Sequence, residues 1–286
     1  DGVIIVGGGI GSLNEFVGSG AVAVISRRCG EGDGAGTEAA IKESLILKWV
    51  AAFVAMMIII PFYRPILAWM GSTPEVTAMA YDYGVIVLAG LGFSFSSYSI
   101  FTACRSIGHP NLVMVLMLGG AVLNLGLDPF LIFGWGPFPQ LGITGAAWAT
   151  LISEALVFLA GIGFLYSPWC KVRLHFRGPQ ALSLNSMLKM LKIGLPSGLA
   201  SVSLSLSFFV VMPLITFWGI EATAAYGLIG RVMSFIITLV IGLGVGVSSL
   251  VGQHLGAGLQ LRARALGDRG ILMAGGAMVA AGIAMF

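Results

Sequence analysis

The sequence has few charged residues for its length. Only 9% of its 286 residues are Asp, Glu, Lys or Arg, whereas 57% are hydrophobic. Soluble domains carry about 25% charged residues, so this chain cannot cover its exterior with a water-facing surface. The shortage excludes a soluble globular protein and indicates a polytopic protein embedded in a lipid bilayer.

Motifs for metal binding, redox chemistry and hydrolysis are missing as well. The three cysteines, Cys29, Cys104 and Cys170, form no CxxC pair and no Cys/His cluster, so neither a zinc site nor a disulfide framework is predicted. No HExxH motif and no Ser/His pair falls within the apolar segments. The sequence also lacks a basic, aromatic-interleaved surface. We therefore expect no enzyme, no cofactor, no structural metal and no nucleic-acid partner.

The first residues, DGVIIVGGGIGSL, imitate a dinucleotide-binding turn. Gly7 and Gly9 match that motif, but Ser12 stands where its third glycine belongs. The motif requires a soluble βαβ unit around it, whereas here the apolar run continues to Ile25, long enough to span a bilayer. These glycines are better interpreted as contacts between membrane helices.

Apolar runs of spanning length follow one another along the whole chain. They predict helices at about 2–26, 44–67, 77–104, 111–134, 142–166, 193–218 and 223–254, and an eighth from about residue 269. The connectors alternate between basic (Arg27, Arg28, Lys42, Lys48; Arg105; Lys171, Arg173, Arg177, Lys189, Lys192; Arg262, Arg264, Arg269) and almost free of basic residues. By the positive-inside rule, loops 26–44, 104–111, 167–192 and 255–269 are cytoplasmic. We expect a multi-pass protein of the plasma (inner) membrane.

Glycines suggest an internal repeat. Gly18, Gly20, Gly30 and Gly32 recur as Gly244, Gly246, Gly256 and Gly258, a shift of 244 − 18 = 226 residues. Four matches are weak in a chain with 42 glycines, but both segments end a helix on the same predicted side. Six helices separate the copies, so the repeats would be parallel and related by an axis along the membrane normal.

The most unusual polar residues lie in the segment VLNLGLDPFLIF. Asn124 and Asp128 are four apart, so they share one face of a helix. Pro129 has no N–H, which leaves the carbonyl of Leu125 without its usual partner beside that carboxylate. An ionisable group at this depth costs about 2.5–3.5 kcal/mol on insertion scales, which favours a functional role. The alternative is a pair that hydrogen-bonds a neighbouring helix.

Several long motifs together resemble one known family. They are GHPN, VLNLGLDPFLIFGWGPFPQLGITGAAWAT, IGLPSGL, TAAYGLIGR and GLGVGVSSLVGQHLGAG, and they resemble the multidrug and toxic compound extrusion (MATE) family, from about the second to the ninth of its twelve helices. The resemblance implies an all-α membrane fold with two six-helix lobes in a V around a central cleft. On this basis residues 1–166 would form the N-terminal lobe without its first helix, 167–192 a cytoplasmic connector, and 193–286 the start of a truncated C-terminal lobe.

The resemblance also implies a function. Such proteins export bulky organic compounds, often cations, in exchange for H⁺ or Na⁺, and this one would do so as a monomer. A prokaryotic branch of the family couples ions through an Asn-x-x-x-Asp pair and a Thr in the first lobe, which match Asn124, Asp128 and Thr150. That branch also uses an Asp on the helix that would precede Asp1. Another branch has an acid on its seventh helix, and residues 193–218 contain none.

Two further intramembrane acids are candidates for lining the cleft. Glu15 lies midway along the first helix, and Glu154 lies one turn beyond Thr150 on the same face. Either could attract a cationic substrate, or could hydrogen-bond between helices. A lipid-linked flippase of the same superfamily is the alternative function; such flippases usually carry several basic residues in the cleft, and here Arg231 is the main one.

Overall fold

The computed structural model describes residues 2–69, 74–136, 138–175 and 182–284, and within these ranges the regular structure is entirely helical. The helices are α1 (Gly2–Gly30), α2 (Gly34–Trp69), α3 (Pro74–Ser106), α4 (Pro110–Phe133), α5 (Ile143–Tyr166), α6 (Leu184–Thr216), α7 (Ile220–Gly256) and α8 (Gln260–Ala284). Six of them, α2 to α5, α7 and α8, contain segments long and apolar enough to cross a membrane. The predicted all-α polytopic membrane fold is confirmed.

Several helices begin earlier than the apolar runs indicated. The second begins at Gly34 rather than near residue 44, because Asp33 Oδ1 accepts the Gly36 N–H at 2.8 Å and so caps the first turn. The sixth begins at Leu184, inside the predicted connector 167–192. Hydropathy locates the apolar part of a membrane helix, whereas capping groups decide where its backbone begins.

The burial of one basic residue corrects its grouping with the cytoplasmic connector. Lys48 was grouped with the cytoplasmic connector, but it lies 48 − 34 = 14 residues into α2 and is 1% exposed. The other basic residues of that group, Arg27, Arg28 and Lys42, lie within about two turns of the α1–α2 loop. We call the end of the bundle that carries this loop the basic end.

Helix α3 is the centre of the first five helices. It packs against α1, α2, α4 and α5. In the most apolar 18-residue segment of α3, 61% of the residues are buried, whereas the corresponding fraction in α4 is 6%. The outer helices present large apolar side chains outwards, among them Phe53, Val122 and Leu125. Lipid would cover this surface, since no water-soluble protein exposes so much of it.

Glycines let α1 cross α7 at close range near the basic end. A methyl group on Gly30 would overlap the main-chain oxygen of Gln253, and one on Gly256 would overlap that of Arg27. These contacts are reciprocal, because 27 + 226 = 253 and 30 + 226 = 256. A pseudo-two-fold axis between two helices produces this pattern, and the shift equals that of the repeated glycines. Gly20 and Gly194 bring α1 equally close to α6.

The described part of the segment before α6 is bound to the first two helices. Glu38 accepts the His175 N–H at 2.7 Å, and Glu43 Oε1 accepts the Ser183 N–H at 2.8 Å. Arg28 donates to Ser186 Oγ at 3.0 Å, inside the first turn of α6. The start of α6 is therefore fixed to α1 and α2 by polar contacts at the basic end.

Candidate functional site

The loop between α4 and α5 aligns the two helices that carry the predicted ion site. Gly134 ends α4 in the left-handed conformation, with a φ of 72°. The N–H groups of Leu141 and Gly142 then donate to the carbonyls of Leu131 and Ile132, both at 3.1 Å. Since Gly145 also leaves no room for a side chain against Leu131, α5 returns antiparallel in close contact with α4.

This packing brings Asn124 and Thr150 together. Asn124 Nδ2 donates to Thr150 Oγ1 at 3.4 Å, and Thr150 Oγ1 donates to the Ala146 carbonyl at 3.0 Å. The Asn124 amide therefore directs its N–H toward the hydroxyl and keeps its oxygen as an acceptor. Two of the three residues matched to the ion-coupling motif thus lie in direct contact.

A cavity of about 250 Å³ opens beside this pair, between α3, α4 and α5. Its polar lining comprises Ser94, Ser97, Tyr98, Asn124, Thr150, Ser153 and Glu154. Glu154 accepts a hydrogen bond from Ser94 Oγ, so the carboxylate is held toward α3. Of the predicted cleft residues, Glu154 is the one that shares this cavity with Asn124 and Thr150.

Two buried hydroxyls in the cavity lining lack partners. Ser97 and Ser153 are 5% and 4% exposed, and within the described part of the chain neither Oγ has a hydrogen-bond partner. A buried hydroxyl without a partner costs about 1–3 kcal/mol. The cavity is partly open and most of its lining is apolar, but it contains a cluster of unused oxygen atoms, which suits a water molecule or a hard cation.

Asp128 and Pro129 lie one turn further along α4, toward the loop. Both are half-buried and inside the helix, and neither is among the described residues that line the cavity. The structure therefore brings Asn124, Thr150 and Glu154 to one space and leaves Asp128 beside it. The roles predicted for Asp128 and Pro129 remain predictions.

Glu15 lies outside this cavity, near Lys48 of α2. Its carboxylate is exposed on α1, within electrostatic range of the Lys48 ammonium. Lys48 in turn donates to the Asn14 carbonyl at 2.6 Å and also to Asn14 Oδ1. Tyr98 on α3 is within electrostatic range of both Glu15 and Glu154.

Two sequence signals pointed to these overlooked residues. The segment FSFSSYS at 93–99 is unusually rich in serine for a membrane helix and supplies Ser94, Ser97 and Tyr98. The segment ILKWVAAFV sets Lys48 in an apolar run. Because Lys48 lies only four residues from the predicted helix start at residue 44, it is counted with the basic connector residues, whereas α2 in the structure begins at Gly34.

Comparison with known sequences identifies related transporters. The sequence model of the MatE family matches residues 6–130 and 196–286. The chain is 28% identical over 248 residues to the probable multidrug resistance protein YoeA of Bacillus subtilis, covering 86% of this chain and 54% of that protein. It is 29% identical to an FAD transporter of Shewanella oneidensis (89% and 56%) and 28% identical to the multidrug export protein MepA of Staphylococcus aureus (85% and 52%).

Solved structures agree in fold. A crystal structure of MATE in the bent conformation superposes with a TM-score of 0.85 at 26% identity, covering 95% of this chain and 60% of that one. An outward-facing multidrug resistance MATE transporter gives a TM-score of 0.80 at 25% identity, covering 96% and 61%. The chain thus spans little more than half the length of the curated relatives it matches.

Proposed function

Because the chain belongs to the MatE family, whose members are membrane transporters and not enzymes, we propose that it forms part of a cation-coupled exporter of organic cations. The curated relatives YoeA and MepA are named as multidrug resistance and export proteins, which supports drug efflux. We propose further that export of the organic cation is driven by antiport against H⁺ or Na⁺.

One observation carries the proposal: the cavity between α3, α4 and α5. It combines the Glu154 carboxylate with the Asn124–Thr150 pair and with two unpaired serine hydroxyls. Oxygen atoms of these kinds are the ligands that hard cations take. An intramembrane acid in such surroundings is by default a functional group.

Asp128 has a second role in the proposal. It follows Asn124 by one turn and immediately precedes Pro129. Protonation or ion binding would neutralise the carboxylate, and the missing hydrogen bond at Pro129 weakens α4 at the same position. We propose that this change alters the bend of α4 and so couples the ion to alternating access.

The proposed orientation follows from the basic residues. Arg27, Arg28, Lys42 and Arg105 lie at the basic end, which the positive-inside rule assigns to the cytoplasm. The protein would then act as a monomer in the plasma membrane. Flippases of the superfamily usually carry several basic residues in the cleft; the described lining of this cavity includes Glu154 and no Lys or Arg, whereas a second cavity between α1, α6 and α7 includes Arg27, Arg28 and Lys189.

Transport in proteoliposomes tests the proposal. The intact protein would be reconstituted, and the movement of ethidium followed under an imposed pH or Na⁺ gradient. We expect gradient-dependent transport that Asp128→Asn and Glu154→Gln each reduce at least about tenfold, since each removes an intramembrane charge. FAD would be tested as a second substrate, because one of the relatives is named as an FAD transporter.

A matched control is Asp82→Asn on α3, an acid outside the cavity lining. It should transport ethidium at the wild-type rate. If the wild type transports ethidium at the same rate with and without either gradient, the proposed coupling is refuted. If Asp128→Asn transports ethidium at the wild-type rate, the role proposed for Asp128 is refuted.

A further inference from the structure

Lys48 is a buried positive charge deep in the bundle. It lies about 21 Å along α2 from Gly34, at 1.5 Å per residue, and it is 1% exposed. A lysine at the centre of a membrane helix is costly to insert into the bilayer. Such a residue is retained only where other groups stabilise its charge or where its charge is used.

The groups that contact the amine are oxygen atoms of one residue and an aromatic ring. Nζ donates to the main-chain oxygen of Asn14 at 2.6 Å and to Asn14 Oδ1, and it lies 5.8 Å from the centre of the Phe95 ring. Carbonyl and amide oxygens would equally ligate a bound Na⁺. The lysine therefore presents a cation, attached to the chain, to a set of oxygens suited to cations.

The counter-charge is Glu15, which is exposed whereas Lys48 is buried. Both groups border Gly18: a methyl group there would lie 3.5 Å from Lys48 Nζ and 4.0 Å from Glu15 Oε2. Tyr98 on α3 interacts electrostatically with Glu15 and with Glu154 of α5. The other charged side chains on α1, α2, α3 and α6, within the described part of the chain, lie nearer the basic end (Arg27, Arg28, Glu38, Lys42, Glu43, Arg105, Lys189 and Lys192) or toward the opposite end (Arg64 and Asp82, with Tyr63, Tyr81 and Tyr83).

From this arrangement we propose that Lys48 binds the coupling proton and that its ammonium competes with a cationic substrate for Glu15. The inference rests on the proposed function and assigns the proton released on substrate binding to Lys48, while Asp128 keeps its proposed role in the bend of α4. When an organic cation binds at Glu15, the Lys48 ammonium gives one proton to water and remains as a neutral amine on Asn14. When a proton returns from the opposite side, the ammonium again neutralises Glu15 and the cation leaves.

The exchange balances one proton against one positive charge. A single carboxylate cannot neutralise two cations at once, so the Lys48 ammonium and a bound organic cation compete for it. Glu15 thus contacts the substrate, and the protonation state of Lys48 determines whether the Glu15 carboxylate is available to bind it.

Paired substitutions test the proposal on the intact protein in detergent. Ethidium binding is followed by fluorescence as a function of pH, and proton release is followed with an indicator dye in weak buffer. The wild type should release about one proton per ethidium bound and should bind more tightly as pH rises. Lys48→Met should bind at least as tightly, with no proton release. Lys48→Arg, which cannot lose its proton, should bind about tenfold or more weakly.

The control is Lys42→Met, a lysine of the same helix that pairs with Glu38 at 2.7 Å near the basic end. It should match the wild type in affinity and in proton release. If Lys48 had a purely structural role, Lys48→Met and Lys48→Arg would not change the ethidium affinity in opposite directions. If Lys48→Arg does not fold, proton release by Lys48→Met decides the question alone.

The outcomes separate this inference from the proposed function. If the wild type transports ethidium and Lys48→Met still releases protons on binding, the proton comes from another group and the inference is wrong, although the exporter remains. If the wild type neither binds ethidium nor transports it under a gradient, the proposed function fails and the inference fails with it.

Discussion

Replacing either glycine of the α1–α7 crossing with alanine should push the two helices apart. The new methyl group of Gly30→Ala or Gly256→Ala would overlap a main-chain oxygen, of Gln253 or Arg27 respectively. A carbon–oxygen contact needs about 3.3 Å, so the crossing must widen by roughly 1 Å. Neither obstacle is a flexible side chain that could move aside.

The cost follows from known overpacking energies. Forcing extra volume into a packed interface costs about 1–3 kcal/mol, so each substitution alone should lower the melting temperature of the purified protein by several degrees. Because one separation of the helices relieves both overlaps, the double variant should cost clearly less than the sum of the two. This non-additivity is the particular signature of a reciprocal crossing.

Thermal unfolding in detergent measures the effect, and Gly246→Ala is the control. A methyl group on Gly246, in the same helix α7, meets no atom within 4 Å, so this change should be neutral or should stabilise by about 0.5–1 kcal/mol. If both single variants melt like the wild type, or if their costs add in full, α1 and α7 do not cross in this way.

Three further predictions concern the cavity and the connector. Asn124→Leu removes the donor to Thr150 and should abolish gradient-dependent transport while leaving the melting temperature within a few degrees; unchanged transport would contradict the site. Ser97→Ala and Ser153→Ala remove unpaired hydroxyls and should be nearly neutral for stability, yet each should weaken Na⁺ binding to the purified protein if the cavity holds that ion, with equal affinity arguing against it. Burial raises the pKa of the Cys170 thiol in the connector, so its labelling by maleimide should be slow at neutral pH and accelerate as pH rises toward that raised pKa; rapid labelling at neutral pH would show that the connector is open.

Composition and hydropathy were enough to predict the fold class and the order of the helices. A chain with 9% charged residues has to bury its backbone polar groups within helices in a bilayer, and apolar runs report where those helices are. The site was partly predictable, because Asn124 and Asp128 share a helix face by spacing alone. The membership of Thr150 in the same ion site is a prediction from the resemblance to a family, and the contact between Asn124 and Thr150 is visible only in the structure, since no local rule relates two residues 26 positions apart.

The positions of the helix ends, and the residue placements that depend on them, could be determined only from the structure. The cap at Asp33 starts α2 ten residues before the predicted start at residue 44. Lys48, which the sequence placed about one turn inside the helix, is buried by its contacts with Asn14 of α1 and Phe95 of α3, and such contacts between helices are not visible in hydropathy.

The sequence by itself thus determined that this is an all-α membrane protein of a transporter family with a polar pair in its fourth helix. Only the tertiary packing of α3, α4 and α5 decided that Glu154 shares a cavity with that helix and that Asp128 lies beside it. The spacing of residues along one helix fixes their relative directions, but the neighbouring helices decide which of those directions faces the cavity.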